Sequence, residues 1–153
     1  MELTGTDMTD SDKPGVYLSD YGEGKLAYLP WDLGDIYYRS SPEYHSGIVG
    51  DLVDHLMPAG RQLMTNAHPM VEMTLQQQKK QGRTNLHFIN LTGYSQSAVH
   101  PPIPMSNIQV DVAGVFKTAR MVSTGRNLPL RKQGRYVSFT LPNLDAYEVV
   151  ALT

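Results

Sequence analysis

VEMTLQ, residues 71–76, is the stretch that decides the fold class. Val71, Met73 and Leu75 alternate with polar residues, which indicates a strand with one buried face. After a turn at residues 79–82, residues 84–91 form a second predicted strand. Further short strands are predicted at residues 108–112, 117–122, 128–130, 136–141 and 147–152. Six or seven such strands predict a mainly β fold, an antiparallel β-sandwich over residues 61–153.

Turn signals set the predicted limits of these strands. Residues 92–105 are rich in proline and predict a long loop. Residues 131–135 contain a glycine and predict a turn. Pro142 and Asn143 are predicted to separate the last two strands, because proline cannot donate a hydrogen bond to a ladder.

Residues 15–60 predict a smaller unit, the remnant of an α/β domain. Two apolar runs flank the turn at residues 20–24 and predict a strand pair. One amphipathic helix follows, which Ser40 or Ser41 caps and which ends before Pro58. Its apolar stripe consists of Tyr44, Ile48, Val49, Leu52, Val53 and Leu56. So small a unit buries too little surface to be stable alone, so we expect it to dock on the sandwich, pair with another chain or complete a larger domain.

Composition excludes several classes of protein. Residues 1–14 are polar and acidic, which predicts a flexible leader and differs from a signal peptide, so a cytoplasmic location is expected. No apolar run is long enough to span a membrane. The chain has no cysteine, which excludes a disulfide scaffold and a cysteine nucleophile. Its net charge of -2 does not indicate a nucleic-acid partner, and no motif indicates a cofactor.

Charge is divided unevenly along the chain. Residues 1–57 contain eleven acidic and three basic residues, whereas residues 58–153 contain four acidic and ten basic residues. Either the two units face one another, or the acidic leader alone raises the number of acidic residues counted over residues 1–57. A basic cluster near the C-terminal turns is either a solvated rim or a partner for the acidic unit; it comprises Arg126, Arg131, Lys132 and Arg135.

Several motifs resemble one family. GKLAYLPWDL (residues 24–33), YYR (37–39) and His45 resemble the end of the trimerisation-type, glutamine-amidotransferase-like domain of bacterial glycoside hydrolases related to β-galactosidases. Three further stretches resemble strands of the sandwich that follows this domain in the family: HFINLTG (87–93), YVSFTLP (136–142) and AYEVV (146–150). The resemblance covers residues 16–153 and implies a C-terminal region.

The resemblance also implies that the chain is not an enzyme, because the family's catalytic carboxylates lie on a barrel that this chain lacks. The sandwich itself has only Glu72, Asp111, Asp145 and Glu148, with no pair that indicates a shared catalytic site. We therefore expect a non-catalytic accessory or structural module that acts by domain docking or oligomerisation, as a dimer or larger assembly. A carbohydrate-binding module is the alternative, and a self-sufficient enzyme is a third hypothesis.

The candidate carbohydrate contacts lie after the second predicted strand. They are Trp31, Asp32, Tyr37, Tyr38 and Arg39, because aromatic rings stack on sugars while carboxylates and guanidinium groups bind hydroxyls. In the alternative interpretation, Trp31 packs between helix and sheet, and Arg39 pairs with Asp32 or Asp35. The five histidines show no metal-ligand spacing, so no metal site is expected.

Overall fold

The computed structural model describes residues 12–40, 43–95 and 97–153. The chain divides into two compact units, Met1–Gly60 and Arg61–Thr153. Residues 1–11 of the predicted leader lie outside the described residues. The same is true of the predicted helix start at residues 41–42 and of the side chains of Ser40 and Tyr44.

The first unit consists of a hairpin and two helices: β1 (Tyr17–Tyr21), β2 (Gly24–Tyr28), α1 (Leu33–Ser40) and α2 (Glu43–Leu56). The strands pair antiparallel around Gly22, whose φ of 60° suits glycine. The predicted strand pair and amphipathic helix are confirmed, and α2 contacts both β2 and α1. The helix α1 was not predicted. Of the two helices that the structure describes, neither has the length and apolar composition needed to cross a bilayer.

The second unit is the predicted antiparallel β-sandwich. Its strands are β3 (Leu63–Thr65), β4 (Val71–Gln78), β5 (Arg83–Asn90), β6 (Tyr94–Ser95), β7 (Ala98–Val99), β8 (Met105–Ala113), β9 (Ala119–Met121), β10 (Asn127–Leu128), β11 (Arg131–Gln133), β12 (Tyr136–Leu144) and β13 (Tyr147–Leu152). Among the described residues, one sheet has the order β10-β9-β13-β5-β4 and the other β11-β12-β8-β3. The short β6 and β7 form a separate hairpin within the predicted proline-rich loop.

The apolar core of the second unit lies between these two sheets. Alternate residues are buried over residues 108–112 of β8, over residues 137–141 of β12 and along β13, as the alternation predicts. Leu86 and Phe88 in β5 have no exposed surface, and the same is true of Leu141 in β12. The neighbouring Ile89, on the opposite face of β5, is 36% exposed.

Two predicted strand limits are wrong. Residues 131–133 form β11, where a turn was expected; the turn is shorter and uses Gly134 at a φ of 60°. The strand β12 continues through Pro142, where a break was expected. The ladder to β8 pairs the residues on both sides of Pro142 but not Pro142 itself, so the missing N–H costs no ladder bond. Opposite it, Asn107 has a φ of 58°, a conformation that asparagine tolerates better than most residues.

The NLTG motif (residues 90–93) organises the long loop after β5. Asn90 is 6% exposed. Its side-chain amide donates to the carbonyl oxygens of Ile103 at 2.8 Å and Asp145 at 2.7 Å. Its Oδ1 accepts hydrogen bonds from the backbone N–H and the hydroxyl of Thr92. One buried side chain therefore joins β5 to the end of the loop and to the turn between β12 and β13.

Candidate functional site

Trp31 and Asp32 lie between β2 and α1, and both make contacts within the first unit. The Trp31 ring is half-buried, its Nε1–H donates to the carbonyl of Gly15 at 2.7 Å, and its centre lies 5.7 Å from that of His45. His45 is only 6% exposed. Asp32 Oδ1 accepts a hydrogen bond from the backbone N–H of Asp35 at 2.9 Å, so its carboxylate caps the start of α1.

Tyr37, Tyr38 and Arg39 belong to α1. Arg39 forms an ion pair with Asp35 at 2.8 Å, one helical turn earlier. The two tyrosines are exposed, Tyr38 by 85%. Of the alternative interpretation, the pairing of Arg39 with Asp35 is observed, and the Trp31 ring contacts His45 of α2. Binding of a sugar to these five residues stays a prediction. Titration with oligosaccharides, with Trp31 fluorescence as the signal, tests it directly.

One face of the hairpin is apolar and exposed. The register pairs Tyr17 with Tyr28, and it places Tyr21 and Leu26 on the same side of the sheet. We call these four residues the hairpin face. Their exposed fractions are 46% for Tyr17, 79% for Tyr21, 48% for Leu26 and 58% for Tyr28. The rings of Tyr17 and Tyr28 lie 6.2 Å apart, and no charged residue belongs to this face.

The first unit has no buried apolar side chain among its described residues. In α2, Val49, Val53 and Leu56 of the predicted stripe are all at least 37% exposed. The apolar core cluster lies entirely in the second unit. The predicted apolar stripe therefore leaves apolar surface exposed on the first unit. The alternation of tyrosines along β1 and β2 was a signal for this surface, but it was interpreted only as a strand pattern.

One carboxylate of the second unit is buried, and its hydrogen bonds indicate its role. Glu148 is 5% exposed and is the only buried carboxylate among the described residues. Its Oε1 accepts hydrogen bonds from the backbone N–H groups of Val149 (2.8 Å) and Ser123 (3.2 Å), and its Oε2 accepts one from the Ser123 hydroxyl. The two bonds from Ser123 hold the turn after β9 against β13. Glu148 therefore serves the structure of this turn.

A shallow groove of ≈ 380 Å³ passes beside Glu148 and is also lined by Asp145, Tyr147 and Arg126. Asp145 is exposed and accepts a hydrogen bond from the Asn143 amide at 3.1 Å. The other two carboxylates, Glu72 and Asp111, lie on the outward positions of different sheets. Among the described residues, no three histidine, aspartate or glutamate side chains gather closely enough to hold a metal ion.

Comparison with known proteins gives a likeness of fold. No protein-family model matches the chain, and no curated protein sequence matches it. The solved structure of alpha-L-fucosidase isoenzyme 2 from Paenibacillus thiaminolyticus is similar, with a TM-score of 0.75 and 18% identity over 91% of this chain and 22% of that chain. A cycloisomaltooligosaccharide glucanotransferase from Paenibacillus sp. matches at a TM-score of 0.44 and 18% identity, over 70% of this chain and 20% of that one. The chain thus spans 22% of the length of the fucosidase and has a fold that occurs within a glycoside hydrolase.

Proposed function

We propose that the chain is a non-catalytic accessory module of a glycoside-hydrolase-like protein, and that it self-associates through its first unit. The supporting observation is the position of the apolar side chains of the first unit, which lie on its surface while the second unit has its own core. Exposed apolar surface of this kind is typical of protein interfaces. The parent protein, in this proposal, is related to the bacterial β-galactosidase-like hydrolases that the motifs resemble.

The hairpin face suits a second copy of the same chain. A two-fold symmetric interface uses the same patch on both copies, so the patch must complement itself. Three tyrosines and a leucine without a charge meet this requirement, since two copies bring no like charges together. Tyrosine also buries a large ring while its hydroxyl stays hydrated at the rim. In addition, β1 and β2 form a sheet of only two strands among the described residues, so each has an edge that another strand can pair with.

The substitution Leu26→Glu tests self-association. We expect the natural chain to sediment as a dimer or larger species at high concentration, and the variant to sediment as a monomer, because two glutamates would meet in the interface without partners. Val99→Glu is the matched control: Val99 is 83% exposed and lies in β7 of the second unit. A natural chain that stays monomeric over the whole concentration range would contradict the proposal, as would equal dissociation by both variants.

The non-catalytic part of the proposal has a separate test. Hydrolysis of a glycoside needs two carboxyl groups about 5–10 Å apart, one able to give a proton. Because the Glu148 carboxylate already accepts hydrogen bonds from Ser123 and Val149, we expect no turnover of synthetic nitrophenyl glycosides by the purified chain. Turnover that is lost in Glu148→Gln or Asp145→Asn would assign the groove beside these residues as an active site and overturn the proposal.

A further inference from the structure

The second unit has one open end, which we call the basic end. Residues 114–118 connect β8 of one sheet to β9 of the other, so both sheets end here. The ladders bring the turn at residues 79–82 and the turn at residues 134–135 to the same end. Between these three turns the inner faces of the sheets are not covered, and a cleft opens between them.

Three polar residues point into this cleft from positions where the alternation would place apolar ones. Gln77 and Thr84 face each other across β4 and β5 on the inward side of the sheet. Lys132 in β11 pairs with the buried Val137, and it too lies on the inward side. Polar residues at core positions are errors of patterning unless they have a function. Here they lie where the end of the sandwich is open.

The cleft has two lobes that meet at Phe116. The larger lobe has a volume of ≈ 770 Å³ and the smaller one ≈ 370 Å³; Gln77, Thr84, Val115 and Phe116 line both. The half-buried Phe116 ring packs on the apolar core and forms the floor. It reaches this position because residue 114 is glycine: a Cβ there would lie 2.9 Å from the ring.

The charged side chains around the cleft are all basic. Six exposed basic side chains lie on the three turns and the strand residues next to them: Lys79, Lys80, Arg83, Lys117, Lys132 and Arg135. Within the described residues, none of these six forms an ion pair with a carboxylate. The described residues that line the two lobes include no aspartate or glutamate side chain. Glu148 and Asp145 lie at the opposite end of the sandwich, and Asp111 lies on an outer face.

We propose that this cleft binds an anionic saccharide, with a sugar ring on Phe116 and its carboxylate or sulfate groups on Lys132 and the neighbouring cations. Binding sites for small ligands typically have volumes of about 300–1,000 Å³, and the larger lobe falls within this range. A sugar ring has an apolar face that fits an aromatic floor, and its hydroxyls fit the amide of Gln77 and the hydroxyl of Thr84. This inference concerns a different unit and surface from the proposed self-association.

The shape of the cleft favours a saccharide over other anions. Single-stranded nucleic acids are held by successive aromatic platforms, and the described lining of the two lobes supplies only Phe116. A protein partner requires a broad contact surface, whereas this site is a concave end between two sheets. Lysine and arginine together bind carboxylate and sulfate groups, so both kinds of acidic sugar belong to the proposed ligand class.

Adjacent residues of β11 supply a matched test. Lys132 faces the cleft, whereas Arg131 pairs with Ser138 and lies on the outer face of the same strand. We expect the full chain to bind a short oligogalacturonate or a short heparin oligosaccharide in calorimetry, more weakly as salt is raised. Lys132→Glu and Phe116→Ala should each lower the affinity at least about tenfold, and Arg131→Glu should change it less than about twofold.

Each outcome decides the proposal. Binding of the galacturonate alone or of the heparin oligosaccharide alone supports it and identifies the acidic group. Equal losses in Lys132→Glu and Arg131→Glu overturn it, because they show diffuse attraction to net charge. Absence of binding, equal affinity for a neutral oligosaccharide, or tighter binding of a single-stranded oligonucleotide or an acidic peptide also overturns it. Lys132→Gln, which keeps a polar side chain, should lose affinity while its thermal unfolding stays unchanged.

Discussion

Replacing Phe88 with alanine is expected to lower the free energy of unfolding of the sandwich by about 3–5 kcal/mol. Phe88 has no exposed surface and lies in β5, which has a neighbouring strand on both sides. Removing its ring takes away buried apolar area and leaves a cavity between two sheets that cannot collapse onto it. For a domain of ordinary stability, a loss of this size is a large part of the total.

Ile89→Ala is the matched control for this prediction. Ile89 is the next residue of the same strand, is 36% exposed and lies on the outer face. Its replacement should therefore lower the free energy of unfolding by about 1 kcal/mol or less. Urea unfolding followed by far-ultraviolet circular dichroism measures both variants. The only tryptophan, Trp31, lies in the first unit, so its fluorescence reports on that unit separately. Equal losses in the two variants would show that β5 does not have one buried and one exposed face.

The same contrast explains why the sandwich was predictable. A sheet with one buried face imposes a period of two on each strand, and this pattern can be recognised from a few consecutive residues. Phe88 and Ile89 differ in exposure because they are adjacent, and Val71, Met73 and Leu75 follow the same rule. The antiparallel class follows from the short turns, since parallel strands need long crossovers.

The helix α1 was missed because it is only eight residues long, little more than two turns, and contains a glycine, which is a poor helix former. Its eight residues are stabilised by polar groups: Asp32 caps the first turn and the Asp35–Arg39 ion pair spans one turn. In the sequence, Asp32 and Arg39 fit sugar binding as well as they fit a helix. Local spacing could not separate the two roles, because both need a carboxylate near a guanidinium group. In the structure the distances show a helix cap and an ion pair, and sugar binding by the same side chains stays a prediction.

Surface features depend on what covers a residue, and sequence alone does not show this. Tyr17 and Tyr28 fit a buried strand face as well as an exposed one, yet they are exposed on the hairpin face. Likewise Gln77 and Thr84 continue the inward side of two alternating strands, but only the structure shows that they lie opposite each other beside an open cleft. Both proposals for this protein therefore depend on the positions of these residues in the fold, which their residue types alone do not indicate.

Replacing Asn90 with aspartate is expected to cost the sandwich at least about 3 kcal/mol, with almost no change in side-chain size. The Asn90 amide group donates to the carbonyls of Ile103 and Asp145, and it is buried. A carboxylate oxygen in its place would face two carbonyl oxygens with no proton between them. Each carbonyl would lose its partner, and an unpaired charge would be added at a buried side-chain position.

The loss should also free the loop that Asn90 holds. Thr92, in the first turn of this loop, donates its backbone N–H and its hydroxyl to Asn90 Oδ1. Gly93 follows, and a Cβ added there would collide with the His100 carbonyl. We therefore expect faster amide hydrogen exchange in residues 91–104 of the variant, beyond the global loss of stability.

Asn127→Asp separates this explanation from a simple effect of charge. It makes the same chemical change at an exposed position in β10, so the free energy of unfolding should stay within about 0.5 kcal/mol of the natural chain. If Asn90→Asp were as mild as Asn127→Asp in urea unfolding, the two carbonyls would not depend on the Asn90 amide, and the NLTG motif would lack the structural role assigned to it. If only Asn90→Asp is destabilising, the motif is explained by a buried donor at one position, which holds the loop after β5.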